Sequence, residues 1–258
     1  MTLLLTQTGL LTARSLRTLG RIPAYLAFSL IQPLIWLLLF GKVFTAIGRL
    51  PGFGSHSYLE YLTPGVVAMT AMLTSAWAGS NLIQDIERGV MDRTLSSPTR
   101  RSAVIAATVV YQGLTMVVLA LLVFGAAWVV GVRYPNGWVG VPVTIGFSIL
   151  LAAIFTGISD ALALLLRQQE ALIGLSQFIT LPLSFLSSAM LAPGLLPSWV
   201  STAARFNPLN WAAEGSREVL FGAPDWAVVL RDAGLLAGLA LLAGWGAVAA
   251  FRGYQNAA

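Results

Sequence analysis

Six runs of predominantly apolar residues, divided by short polar stretches, set the pattern of this chain. They cover residues 24–44, 61–83, 102–130, 138–166, 171–191 and 227–251. A helix rises about 1.5 Å per residue, so about 20 apolar residues cross a hydrocarbon core of roughly 30 Å. The pattern therefore predicts an all-α integral membrane fold with six transmembrane helices in a single domain over 1–258. The third run is long enough to tilt. The second contains "TSAWAGSN" and is the least oily, so it spans only if its small polar face meets protein or water.

Three stretches depart from the runs. In residues 1–22 the arginines Arg14, Arg17 and Arg21 fall on one side of a helical wheel and leucines on the other. That pattern suits a helix lying in the membrane interface. The positive charges follow the leucines and no small-residue cleavage site appears, which is unlike a signal peptide. Residues 192–226 are too polar to span and too apolar for a plain loop, with four prolines and three tryptophans. Asn207-Pro208 can open a helix and Gly222 can close it. Two short re-entrant helices dipping into the outer leaflet are expected here.

The third departure is "DIERGVMDRTLSSPTRRSAV", residues 85–104, with Asp85, Glu87, Arg88, Asp92, Arg93, Arg100 and Arg101. Gly89 permits a turn that other residues resist, and Ser97-Pro98 stops a helix. A short cytoplasmic helix over 90–96 is expected between them. A positive-inside loop needs only Arg100 and Arg101 and leaves the three acids unexplained. Mixed charge on a short helix suits docking to a complementary partner surface.

Composition narrows the class. Hydrophobic residues make up 57% and charged ones 10%, against about 25% charged in soluble domains. The net charge of +5 does not point to nucleic acid, because the basic residues sit at the ends of apolar runs. Nine Lys and Arg fall on one side of the predicted membrane and six on the other. The richer side includes the N-terminal arginines and is read as the cytoplasm. Both termini are then cytoplasmic in a multi-pass cell-membrane protein. With no cysteine and one histidine, His56, neither a thiolate nor a histidine metal site can be assembled.

Little catalytic chemistry is encoded. There is no phosphate-binding glycine loop, no nucleophile elbow and no H-E-x-x-H. Glu214, Glu218 and Asp225 could act as paired carboxylates, but Glu214 and Arg217, three apart on a helix, suit a surface ion pair better. Asp160 is the most deeply placed acid, read either as a path or subunit-interface group or as a structural hydrogen-bonding group. Asn81 and Gln177 are candidates for a polar substrate path, or for hydrogen bonds between helices. Met69, Met72, Met91, Met116 and Met190 could adapt to varied apolar ligands or simply pack. A membrane-embedded enzyme would need converging titratable groups, and a channel a filter-like repeat or charged ring; neither is visible.

Three stretches resemble a known family. "YLTPGVVAM" (61–69), "ERGVMDRTLSSPTRRSAVI" (87–105) and "LPLSFLSSAMLAPGLLPSWVSTAARFNPLNWAAEGSREVLFG" (181–222) are similar, in order and spacing, to stretches of ABC-2 type ABC exporter permeases of the daunorubicin-resistance-like group. Val90-Met91 departs from a Gly-Thr-Leu-like family pattern. The resemblance implies a permease that pairs with a second permease, identical or homologous. It also implies separate ABC ATPase subunits that carry the ATP and Mg, with no cofactor on this chain. It implies that Glu87, Arg88, Gly89, Asp92, Arg93, Pro98, Arg100 and Arg101 lie in an ATPase-coupling segment. It implies an extracellular gate containing Asn207, Pro208 and Arg217. The expected cargo is an apolar or amphiphilic small molecule moved outward. A polysaccharide or glycolipid is the alternative, and would ask for aromatic residues such as Trp36, Trp77 and Trp128 along a path.

Overall fold

The computed structural model describes residues 23–44, 57–90, 101–191 and 197–257, with isolated positions at 8, 9, 12 and 194. Every regular element among them is helical. In chain order these are α1 (Pro23–Ile35, running on through a π-helical turn Trp36–Phe40 and a last turn Gly41–Val43), α2 (Tyr58–Ser75), α3 (Ser80–Glu87), α4 (Arg101–Val129), α5 (Gly137–Leu166), α6 (Gln169–Phe185), α7 (Ser198–Ala204), α8 (Pro208–Phe221) and α9 (Trp226–Ala257). The predicted interfacial helix at 1–22 lies outside the described residues but for three isolated positions.

Four stretches are long and apolar enough to cross a membrane by length and composition. They are Tyr58–Glu87, which joins α2 and α3, and Ser102–Val129, Gly137–Leu166 and Trp226–Gly253. At the first predicted run α1 continues through its π-helical turn from Pro23 to Val43, and at the fifth lies the 17-residue α6. The fifth run was expected to continue to residue 191, but α6 stops at Phe185. Its terminal carbonyls are instead taken by a side chain: Asn207 Nδ2 donates to Leu183 O and Leu186 O, both at 2.7 Å.

The fold centres on α5, which packs against α9, α4, α8 and α2. Met69, Met72, Met116, Leu151, Phe155, Leu209 and Leu236 form the main cluster between these helices. Lipid is as apolar as a leucine side chain, so burial alone does not hold such helices together; close packing and hydrogen bonds do. At Gly157 the backbone of α5 lies against Ala243 of α9, and a Cβ there would sit 2.9 Å from the Ala243 carbonyl carbon. The polar second run is accommodated by burial: every residue from 62 to 72 is buried in the protein.

Its helix begins with a capping box. Ser57 Oγ accepts from Glu60 N, and Glu60 Oε2 accepts from Ser57 N. Pro64 sits inside the helix and has no N–H for the carbonyl of Glu60. That carbonyl accepts the Tyr134 hydroxyl at 3.0 Å instead. Burial raises the pKa of Tyr134.

Candidate functional site

A cavity of about 660 Å³ runs along the inner edge of α6, facing α2, α3, α1 and α4. Its walls come from sequence periodicity. On α6, Gln169, Ile173, Gln177, Leu181 and Phe185 recur every four residues and form one stripe. Met69, Leu73, Trp77 and Asn81 do the same along α2 and α3. Residues four apart share a helix face, so two facing stripes make a slot. Ser29, Gln32 and Trp36 of α1 and Tyr111 and Gln112 of α4 complete it. The surface is apolar and aromatic with interspersed amides and hydroxyls, and no described lining residue carries a charge.

Midway along this wall α2 breaks. Residues 76–79 form turns with i→i+3 bonds, including Ala78 N to Ser75 O and Ser80 N to Trp77 O. The break strands the carbonyl of Ala76, which accepts two hydroxyls, Ser159 Oγ at 2.7 Å and Ser176 Oγ at 2.8 Å. Ser159 Oγ also accepts from Gly79 N at 3.0 Å, bridging the break. A Cβ on Gly79 would collide with the Ser159 carbonyl, so only glycine lets α5 approach closely enough to make that bridge.

At the end of α6 a polar clamp holds the non-helical segment 186–191. Arg217 of α8 is only 7% exposed. Its Nη2 donates to Ala189 O at 2.8 Å, its Nη1 to Ser188 Oγ at 3.3 Å and its Nε to Tyr61 O at 3.2 Å. The guanidinium lies 3.6 Å over the Tyr61 ring. The hydroxyl of Tyr61 donates to Ser188 O and Leu191 O, and that of Tyr58 to Met190 O. Burial lowers the pKa of Arg217, while Tyr61 and Glu214 push it back up. Gly65 of α2 lies against the carbonyl of Ala189, where a Cβ would overlap it.

The sequence-based expectation of an exposed Glu214–Arg217 ion pair is thus corrected. The arginine face of α8 is buried against α2, so Arg217 reaches backbone acceptors while Glu214 accepts from Ser188 Oγ at 3.4 Å. Asn207 and Pro208 open α8 as anticipated, with Asn207 Oδ1 accepting from Leu209 N at 2.9 Å.

The other candidates separate. Asn81 and Gln177 come together on the cavity wall. Asp160 does not join them: it is fully buried and Thr108 Oγ1 donates to its Oδ2 at 2.5 Å. Met69 and Met190 line the cavity while Met72 and Met116 lie in the core. Trp36 and Trp77 are on the wall; Trp128 is elsewhere, under the guanidinium of Arg133.

Glu87 and Arg88 are exposed at the end of α3, where Gly89 turns the chain with φ +66°. That left-handed conformation is the one glycine tolerates. Asp92, Arg93, Pro98 and Arg100, with the expected helix 90–96 beyond Val90, lie outside the described residues, as does the side chain of Arg101. Among the described residues no group of His, Cys, Asp or Glu could hold a metal ion. Gln32, Gln112 and Gln169 were missed from the sequence. The four-residue spacing from Gln169 to Phe185 was the available signal for the α6 wall; nothing local marks Gln32 or Gln112.

The family model described as ABC-2 type transporter matches residues 6–221. A daunorubicin resistance ABC transporter permease of Streptomyces coeruleorubidus is 30% identical over 229 residues, covering 87% of this chain and 80% of the relative. A transport permease of Cyanophora paradoxa is 31% identical over 81% of this chain and 71% of its own length. A doxorubicin resistance ABC transporter permease of Mycobacterium tuberculosis is 22% identical over 86% of this chain and 79% of its own.

Proposed function

This chain belongs to the ABC-2 type transporter family, as a multi-pass membrane permease subunit of an ABC transporter, and on that footing we propose that it exports an apolar or amphiphilic small molecule. The observation that carries the reading is the cavity along α6. Gln169 and Phe185, at opposite ends of that helix, both line it, so it extends over about 24 Å at helical rise. That is most of the hydrocarbon thickness. The names of the drug-resistance relatives support outward transport of such a cargo.

In this reading six helices span the bilayer, with both termini in the cytoplasm and residues 1–22 on the inner interface. Helices α7 and α8 enter the outer leaflet without crossing it, and the clamp around Asn207, Pro208 and Arg217 closes the outer end. A second permease covers the open side of the slot. Separate ATPase subunits bind the charged segment from Glu87 to Arg101, hydrolyse ATP with Mg, and drive the cycle through it.

The test is purification in mild detergent from the native host. A stoichiometric ATPase identified by mass spectrometry is expected, and a chain that repeatedly emerges without one defeats the reading. Exchanging the charges, Glu87→Arg with Arg88→Glu, should abolish transport while insertion and stability persist; normal transport removes the coupling role. Trp36 and Trp77 on the wall give one second reading, a glycolipid or polysaccharide cargo, since indole faces stack on sugar rings. Export of a labelled glycolipid by the reconstituted complex decides between them.

A further inference from the structure

A slot that carries drug-like cargo must still select by charge, and the wall described above has a definite electrostatic character. Its polar groups are neutral: four glutamines and Asn81, with serine, threonine and tyrosine hydroxyls between them. Several of those hydroxyls are already committed to the backbone; Ser184 donates to Thr180 O and Thr74 to Thr70 O. Gln112 is different. The residue is 3% exposed and borders the cavity, while its Nε2 is closed off just behind the cavity surface and has no hydrogen-bond partner. A buried amide donor left unmade carries the full desolvation cost of the group, so it favours any ligand that brings an acceptor to it.

We infer that the cavity is a binding site for uncharged, ring-bearing molecules with a carbonyl, ether or hydroxyl oxygen, and that the Gln112 amide turns into the cavity so that Nε2 donates to that oxygen. The inference rests on the permease reading and narrows its cargo. Trp36, Trp77 and Phe185 supply flat apolar faces for the rings. Gln32, Asn81 and Gln177 offer further amide partners. A cation entering the slot loses its hydration and meets no carboxylate on the described walls, which is unfavourable. Asp160 cannot serve, because it lies outside the lining and is held by Thr108.

Two dyes test this directly. Nile red and Nile blue share a fused ring system, and differ chiefly in a neutral carbonyl on one and a cationic iminium group on the other. Saturable binding of each to the full chain in lipid nanodiscs is measured by energy transfer from tryptophan, against protein-free nanodiscs. Nile red is expected to bind at least ten-fold more tightly than Nile blue. Gln112→Leu should weaken Nile red at least five-fold. Gln112→Glu, which keeps the shape and removes the donor, should shift the preference toward Nile blue. Circular dichroism and elution volume identify any variant that fails to fold; with both variants misfolded, the order of the two dyes on the unaltered chain alone decides. Equal or tighter binding of Nile blue, indifference of a folded Gln112→Leu variant, or no saturable binding of either dye overturns the inference. The assay needs neither nucleotide nor ATPase. A wrong cargo class therefore shows here, and a wrong exporter assignment shows in the purification.

Discussion

A guanidinium inside an oily protein has to be surrounded by acceptors, and Arg217 is: two carbonyls, a hydroxyl and an aromatic face meet it. Hydrogen bonds to a charged group are worth about 1.5–3 kcal/mol each. Arg217→Ala should therefore destabilise the chain by about 3 kcal/mol or more, seen as a lower unfolding midpoint in detergent followed by tryptophan fluorescence. Arg217→Lys should recover only part, because a point charge cannot reproduce the planar fork. An unchanged midpoint in Arg217→Ala would deny the clamp its structural role. Asp160 predicts the opposite sign. Its Oδ1 is buried with no partner, so Asp160→Asn should leave stability equal or raised while keeping the Thr108 bond. Thr108→Val should cost about 1–3 kcal/mol by stranding the carboxylate. At this scale the sequence was legible where the signal was local, as at Asn207-Pro208 and Gly89. Charge was a poorer guide than hydrogen-bonding capacity: Asp160 drew attention and Gln112 did not. Which amide faces a void depends on helices far apart in the chain.

Among the elements, the broken helix α2–α3 has the most physical content. A mid-helix stretch of i→i+3 turns often marks a hinge, and here the freed carbonyl of Ala76 is shared by hydroxyls from α5 and α6. Ser159→Ala or Ser176→Ala alone leaves that carbonyl one donor, whereas the double change leaves none. The pair should therefore be non-additive by about 1 kcal/mol in a double-mutant cycle. Amide exchange at 76–80 should quicken most in the double variant; strict additivity would show that the hydroxyls act independently. "TSAWAGSN" did signal an unusual span through its small residues. Its break could not be read, because the capping groups lie some 80 and 100 residues away. The early end of α6 escaped for the same reason: Asn207 supplies its cap from beyond the next helix.

For the whole molecule, the succession of apolar runs was readable because bilayer thickness imposes one length on every crossing segment. The slot was not, since it exists only where α6 stands away from α2. Orientation is testable directly. A cysteine replacing Ser96 in this cysteine-free chain should be labelled only from the cytoplasm, and one replacing Ala223, between α8 and α9, only from outside. The reverse pattern would invert the proposed topology.

The break at 76–79, if it serves as a pivot, also sets a gearing. Helix α3 extends about 12 Å from Gly79 to Glu87, and Asn81 lies only about 3 Å beyond the pivot. A swing at the charged tip therefore reaches the slot wall reduced about fourfold: a displacement of roughly 4 Å at Glu87 moves the Asn81 backbone by roughly 1 Å. On the proposed coupling role of Glu87, coarse movement at the charged tip would thus become fine adjustment of one wall, on the scale at which a hydrogen bond is made or lost.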